Sequence, residues 1–181
     1  AMKETLGESI FRNPDPSVRA LAGKYFPRAG GKTFPAIDDL LKLSGDAQRG
    51  KQVFLSQTAN CTNCHRVGDQ GKDIGPDLTR IEEKFDKRGL FDSILNPSAA
   101  ILVGYEPHLI VSSDGQAITG FIVADGEIVV MKDSQGVEHS IAKAKIARRR
   151  QLDQSLMPDD AALALKPEEL ADLIAYLASK K

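Results

Sequence analysis

Two cysteines separated by two residues, with a histidine directly after the second, constrain this chain more than any other feature. Cys61, Cys64 and His65 form this pattern and use both cysteines among the 181 residues. The pattern is typical of covalent haem attachment, because two thioether bonds need sulfurs a short fixed distance apart and the next imidazole then lies under the iron. We therefore predict one haem c, held by Cys61 and Cys64, with His65 as an iron ligand.

Three other uses of the thiols remain open on sequence alone. A zinc site could combine them with two of His65, His108 and His139, although these histidines lack the short second-pair spacing of known zinc modules. A redox dithiol needs a βαβ context, which the flanking residues do not indicate. A disulfide over so short a loop would stabilise the chain little. The haem interpretation is favoured over all three.

Composition argues against some classes of partner. The net charge is −1, so no global field points to nucleic acid or an anionic membrane. No apolar run approaches the ~20 residues of a membrane-spanning helix. The beginning, Ala1 to Glu4, lacks the pattern of a secretory signal. Because this haem motif is loaded outside the cytoplasmic membrane in bacteria, we expect a removed signal and a periplasmic or otherwise extracytoplasmic location.

Hydrophobic periodicity predicts helices on both sides of the cysteine motif. Residues 1–43 read as a polar helical extension with a helix from Ile37 to Leu43, and the phrase from Pro14 to Ala22 resembles a helix of a HEAT-type repeat. Further helices are predicted over Asp46–Leu55, over Lys87–Leu95 and from Pro167 to the C-terminal lysines. Gly50 would allow the C-terminal helix to approach closely.

Between about residues 105 and 150 the periodicity changes to short alternating runs. The runs 109–111, 118–123, 127–131 and 137–141 are separated by turn signals such as Asp125-Gly126. Such signals at regular spacing predict an antiparallel meander of four or five strands. The basic run Lys143, Lys145, Arg148, Arg149 and Arg150 is interpreted as an exposed edge strand, with docking of an acidic redox partner as the alternative.

The sixth position of the iron decides what such a haem does. Met157 lies in a loop before a helix, where the following proline orients the sulfur, and it is the preferred ligand. Met131, in a strand, is interpreted as core; His108, His139 or an open position are the other options, and Met2 is terminal. A thioether ligand leaves no substrate position and suits electron transfer, whereas an open position suits oxygen or peroxide chemistry.

Other residues are predicted around the haem. The carbonyl of Pro76 could accept the second ring N–H of His65 and orient the ligand. Arg66 or Arg80 could pair with a propionate, although each is more simply a surface charge. The predicted pocket wall consists of Phe54, Ile74, Pro76, Leu78, Ile81, Phe91, Leu95, Leu156 and Tyr176.

With the motifs Gly75–Leu78, Ser155–Pro158 and Leu173–Leu177 added, the chain resembles a class I cytochrome c. More narrowly, it resembles the haem-binding domain found in large secreted proteins of planctomycetes and verrucomicrobia. The resemblance covers about residues 44–179 and implies one haem c with His65 and Met157 as axial ligands. It also implies neighbouring HEAT-like or β-propeller dehydrogenase-like domains. The spacing of the two ligands, 157 − 65 = 92 positions, is longer than in ordinary small cytochromes.

The sequence therefore predicts an α+β protein: a mainly α cytochrome c fold of three to five helices around haem, with an inserted β-meander. Residues 1–43 would form an extension and residues 44–181 the haem domain. The predicted function is one-electron transfer, not catalysis, with a redox partner protein or a fused dehydrogenase-like domain. A haem enzyme or sensor with an open sixth site is the alternative, and a zinc-binding interaction module the minor one.

Overall fold

The computed structural model describes residues 34–158 and 161–179, together with Ile10 and Phe26. The α-helices of these residues are α1 (Ile37–Leu40), α2 (Ala47–Leu55), α3 (Lys87–Leu95) and α4 (Pro167–Leu177). The strands are β1 (Arg66–Val67), β2 (Gln70–Gly71), β3 (Pro107–Ser112), β4 (Ala117–Asp125), β5 (Ile128–Lys132), β6 (Glu138–Ala142) and β7 (Ile146–Gln151). The predicted α+β composition is confirmed, while the Pro14–Ala22 phrase and most of the predicted extension lie outside the described residues.

Local capping fixes where the helices begin. The side chain of Asp46 accepts the backbone N–H of Arg49 at 2.8 Å, and Asp86 caps α3 in the same way. Such caps satisfy N–H groups that have no partner within the helix. The predicted spans of α2 and α3 are therefore confirmed, whereas α1 is shorter than predicted and ends at Leu40. The last described helix, α4, ends at Leu177.

Helices α2 and α4 pack at unusually close range. A Cβ atom at Gly50 would lie 1.9 Å from the carbonyl oxygen of Asp172, so only glycine permits this approach. The guanidinium of Arg49 binds both carboxylate oxygens of Asp172, at 2.7 and 2.8 Å. Asp172 also accepts the backbone N–H of Asp46 at 2.6 Å. The predicted role of Gly50 in helix packing is confirmed.

The helices share one hydrophobic core. Phe54 and Tyr176 meet in it, with ring centroids 5.8 Å apart. Ile37 and Leu40 of α1 are buried in the same core, so its packing extends N-terminal of residue 44, the predicted domain boundary. Its most buried members are Leu40, Phe54, Phe91, Leu95, Ala162, Leu170, Leu173 and Ile174.

The large sheet has the strand order β6-β5-β4-β3-β7. Strands β3, β4, β5 and β6 pair with their sequence neighbours, as in a meander. Strand β7, however, pairs with β3 and not with β6. The prediction of a simple meander is therefore wrong at its last strand. Strands β6 and β7 lie at opposite edges, yet only Lys143–Lys145 connects them.

A flat sheet would separate these edges by about four spacings of ~4.8 Å. Three residues of 3₁₀-helix advance only ~6 Å. The sheet must therefore curl until its two edges approach each other, and β-bulges after Val111 and Ile122 allow the bend.

The curled sheet has a hydrophobic core of its own, separate from that of the helices. Met131 and Ile110 are fully buried in it. The sheet also begins and ends at one point, because the backbone N–H of Leu152 donates to the carbonyl of Pro107 at 2.7 Å. The remaining members of this hydrophobic core are Ile118, Val129 and Ile141, with Ile122 and Ile146 packed against them.

The β5–β6 turn lies against the helical part of the molecule. Lys132 Nζ donates to the backbone carbonyl of Asp73 at 3.4 Å. A Cβ atom at Gly136 would lie 3.0 Å from the side chain of Ile74, so the turn and Ile74 are neighbours. The sheet thus adjoins the segment that immediately precedes Gly75 and Pro76.

Candidate haem-binding site

The two cysteines lie on a short 3₁₀-helix and the residue after it. This helix, Cys61–Asn63, follows Asn60 in the left-handed conformation, and the backbone N–H of His65 donates to the carbonyl of Cys61 at 2.9 Å. Both thiols are free. Burial raises the pKa of the Cys61 thiol to about 11 and also raises that of Cys64. A redox dithiol requires a lowered thiol pKa, so this alternative is disfavoured.

The ring of His65 is held in one orientation. Its Nδ1 atom lies 2.8 Å from the carbonyl oxygen of Pro76, which confirms the predicted hydrogen bond. Because a carbonyl only accepts, Nδ1 carries the proton and Nε2 keeps a free lone pair. Burial lowers the pKa of His65, which favours the neutral ring. The imidazole is thus in the tautomer and charge state that a metal ligand needs.

Gly75 is a site residue that the sequence did not single out for this role. A Cβ atom at this position would lie 2.8 Å from Cε1 and 3.0 Å from Nδ1 of His65. The backbone of Gly75 therefore packs directly on the imidazole face, and its N–H donates to the carbonyl of Cys64 at 2.7 Å. The glycine next to Pro76 was the available signal, but only the folded chain shows which ring it touches.

Residues after His65 pair with residues after Pro76. The backbone N–H of Leu78 donates to the carbonyl of Arg66 at 2.8 Å, and that of Gly68 donates to Thr79 Oγ1 at 2.8 Å. The side chain of Arg66 binds Asp77 Oδ2 through Nε at 3.1 Å and Nη2 at 2.6 Å. Arg66 is thus engaged by a carboxylate of the chain, as Arg80 is by Glu83.

Most of the predicted wall residues lie in one cluster beside Cys61–His65, the attachment segment. Cys61 and Leu78 are partly buried and pack against the helical core, and Pro76 is half-buried beside His65. Ile74 is buried at the β5–β6 turn, and Leu156 is half-buried in the loop before Met157. The wall residues within the core itself are Phe54, Ile81, Phe91, Leu95 and Tyr176.

The two methionines with described positions occupy different environments. Met131 is fully buried in the core of the sheet. Met157 is half-buried in the loop after β7, where its backbone N–H donates to Ser155 Oγ at 3.1 Å. The N–H of Ser155 in turn donates to Ser98 Oγ, just after α3, at 3.1 Å. The loop that carries Met157 is therefore attached to the helical part of the chain.

The other histidines do not join the cysteines. His139 Nε2 lies 2.8 Å from Asp133 Oδ2 on the sheet, and His108 lies on β3 with a buried Nδ1 that has no hydrogen-bond partner in the described part of the chain. Within residues 34–158 and 161–179, no group of three His, Cys, Asp or Glu side chains could hold a metal ion. The zinc alternative thus has no ligand set there.

The donors at the attachment segment fit a covalent haem. Two free thiols at the required spacing adjoin an imidazole whose Nε2 lone pair is available, and Cys61 packs against apolar side chains. This is the donor chemistry that c-type attachment uses. Among the described residues, no helix is long and apolar enough to cross a membrane.

Comparison with known proteins supports the same class, a c-type cytochrome. The family model of cytochrome c matches residues 47–118, a range that contains Cys61, Cys64, His65 and Pro76 but ends before Met157. A cytochrome c-553-like protein of a Synechocystis species is 28% identical over 74 residues, which are 41% of this chain and 67% of that protein. Members of that family hold haem c covalently, and the matched residues of this chain include two cysteines separated by two positions.

Proposed function

We propose that this chain carries a one-electron transfer domain, with haem c bound to Cys61 and Cys64 and with His65 and Met157 as axial ligands. The observation that carries the proposal is the hydrogen bond from His65 Nδ1 to Pro76, next to two free thiols. Reversible one-electron chemistry is supplied by the bound haem. The chain itself supplies the anchors, the oriented imidazole and the apolar surroundings.

Each part of the site has a distinct physical task in this proposal. Pro76 fixes the ring tautomer and increases the electron donation of His65. The buried core against which Cys61 packs, and to which Phe54 and Tyr176 belong, keeps water from the site, and a low-dielectric environment disfavours the more charged oxidation state. The hydrogen bond from the Ser155 N–H to Ser98 Oγ holds the Met157 loop against the helical part and would help to keep Met157 in place during electron transfer.

The visible spectrum of the purified protein, oxidised and reduced, tests the proposal. A Met-ligated protein shows a low-spin spectrum with the thioether-to-iron charge-transfer band in the ferric form. M157A should abolish that band and allow carbon monoxide to bind, whereas the control M131L should leave it unchanged because Met131 lies in the core of the sheet. A wild-type protein that binds carbon monoxide without hindrance would support the enzyme or sensor alternative. A colourless protein that requires metal to fold would support the zinc alternative.

We further propose an extracytoplasmic location for this domain, as part of a larger secreted redox protein. The proposed haem domain then includes Ile37 and Leu40 as well as residues 44–181, because these two side chains belong to the helical core. Covalent attachment at the cysteine pair supports this location, because bacteria load such motifs outside the cytoplasmic membrane. Detection of haem-loaded protein in the periplasm or the medium, in cells with and without the c-type maturation system, tests it.

The basic strand β7 is the proposed docking surface for an acidic redox partner. It is an edge strand whose residues from 147 to 151 are exposed, as predicted. Arg149 and Lys143 pair with Asp125, at 2.6 and 3.1 Å. Arg148 and Arg150, two positions apart and thus on one face of the strand, have no ion pair among the described residues.

The ionic strength dependence of electron transfer tests this surface. The rate with an acidic carrier protein should fall as salt rises, and R148Q/R150Q should flatten that dependence. The rate with an uncharged small oxidant serves as the control and should be insensitive to both changes. A flat response of the wild-type protein would leave β7 with its edge-protecting role alone.

A further inference from the structure

Four contacts join His65 and the residues after it to Pro76 and the residues after it. The first is the hydrogen bond from His65 Nδ1 to the Pro76 carbonyl. The second and third join Arg66 to Leu78 through the backbone and Gly68 to the hydroxyl of Thr79. The fourth is the ion pair of Arg66 with Asp77, which is the one contact made entirely by side chains.

Asp77 makes one of these contacts directly and supports a second one through Thr79. Its Oδ1 accepts the backbone N–H of Thr79 at 2.8 Å and also the Thr79 hydroxyl, while its Oδ2 accepts two N–H groups of Arg66. The bonds from Thr79, followed by those from Arg66, lower the pKa of Asp77 to about 2. The carboxylate is therefore ionised throughout the physiological range.

These contacts restrain the backbone of Pro76, a residue that has no polar side chain of its own to hold it in place. Pro76 lies between Gly75, whose backbone packs on the His65 ring, and Asp77, whose carboxylate is attached to the residue next to His65. Release of Asp77 removes the side-chain restraint beside Pro76, so the Pro76 carbonyl moves away from Nδ1 more readily, while the backbone bonds of Gly75 and Leu78 remain. The electron donation of a ligating imidazole falls when its second N–H loses its acceptor.

We propose that Asp77, together with Arg66, is a positioning residue that keeps the Pro76 carbonyl against His65 and so sets the donor strength of His65 at the iron. This inference rests on the proposed function, because donor strength has a consequence only when iron is bound. The side chains of the Arg66–Asp77 pair are 45% and 37% exposed, so the pair contributes little to stability and variants should fold. The Arg66–Asp77 pair matters because it holds the Pro76 carbonyl in position.

Charge and geometry make opposite predictions for Arg66. Loss of a positive charge near the iron favours the ferric form and lowers the midpoint potential. Loosening of the Pro76 carbonyl weakens the imidazole donor and therefore raises the potential. R66Q thus separates the two effects by sign, whereas D77N raises the potential under both.

The midpoint potential of the haem-loaded protein is the first measurement. We expect R66Q and the charge-balanced double variant R66Q/D77N to raise it. The matched control is R80Q, which removes an arginine from an exposed ion pair with Glu83 that does not join the two segments. It should lower the potential slightly or leave it unchanged.

Hydrogen exchange at His65 Nδ1–H, followed by NMR in the reduced protein, is the second measurement. Loss of the Arg66–Asp77 pair should accelerate exchange by roughly fivefold, the factor that corresponds to about 1 kcal/mol of lost hydrogen-bond stabilisation. A lowered potential in R66Q, or an unchanged one in R66Q/D77N, with exchange as slow as in the wild type, overturns the inference.

The two proposals fail in different ways. If the purified protein has no haem spectrum, the proposed function is wrong, and the exchange of His65 Nδ1–H in R66Q and wild type still decides whether Asp77 and Arg66 position Pro76. If the haem is present and its potential follows charge alone, the function stands and the positioning role does not.

Discussion

The helical part of this molecule and its sheet are built in opposite ways. The helical core joins segments that are far apart along the chain, such as Arg49 of α2 and Asp172 of α4, through glycine-mediated contact and a two-point ion pair. The sheet joins strands that, apart from β7, are neighbours in sequence, around a core of its own. The difference indicates that the apolar wall residues of the site, such as Phe54 and Tyr176, depend on long-range packing, while the sheet is a locally formed unit.

The largest expected effect that tests this comparison is removal of the two anchors. C61S/C64S should abolish covalent haem attachment completely, because no other cysteine exists in the chain. The sheet should keep its hydrogen-exchange protection, since its core contains none of the site residues. Haem staining after denaturing electrophoresis measures covalent attachment, and exchange mass spectrometry measures protection of the sheet. Loss of protection in β3–β6 would contradict the independence of the sheet.

The reverse experiment disturbs the sheet. M131A should cost about 2–5 kcal/mol, because truncation of a fully buried methionine leaves a cavity. M131L is the volume-matched control and should cost less than ~1.5 kcal/mol. Unfolding followed separately by strand exchange and by the haem spectrum should show the loss in the sheet first. Simultaneous loss of both signals at every denaturant concentration would show one cooperative unit.

A smaller effect is expected at the contact between α2 and α4. G50A places a methyl group 1.9 Å from the Asp172 carbonyl, so the helices must separate, at a cost of about 1–3 kcal/mol. The control is G126A, at a turn where the nearest atom to an added Cβ is the Ile128 carbonyl oxygen at 3.9 Å. Chemical denaturation measures both variants, and equal stabilities would mean that the helix contact is not tight in solution.

The smallest expected effect is the response of the same helix pair to acid. Hydrogen bonds from Arg49 lower the pKa of Asp172 in the folded protein. A carboxyl whose folded pKa is lowered stabilises the fold fully above its unfolded pKa of about 3.9, and this contribution is lost as the pH falls through the folded value. D172N should therefore be less stable at pH 7 and show a flatter decline below about pH 4. A parallel decline in wild type and variant would contradict this assignment.

The parts of the fold that local chemistry determines could be predicted from sequence. Helix α3 begins after a capping aspartate and ends before Asn96-Pro97, and both signals lie within the segment itself. The four meander strands likewise follow from alternation and turn residues. The pairing of β7 with β3 could not be predicted from sequence, because the two strands lie more than 30 residues apart. The curl that brings them together depends on the whole sheet.

The same distinction holds for the candidate site. The Pro76 bond to His65 was predictable because both residues belong to short motifs at a known spacing. Gly75 on the ring face and Asp77 beside Arg66 were not, since each depends on how two loops meet in space. Met157 as the second ligand stays a prediction that the spectrum decides.

The hydrogen bond between Leu152 and Pro107 has a consequence for chain entropy. The two proposed ligands are 157 − 65 = 92 positions apart, but the 152 − 107 = 45 positions of the sheet begin and end at one point. Once the sheet has formed, the loop between the ligands is only about half as long, and halving a loop lowers its closure cost by about 0.6 kcal/mol. A larger or smaller sheet whose two ends lay equally close would therefore leave the entropy cost of bringing His65 and Met157 together unchanged.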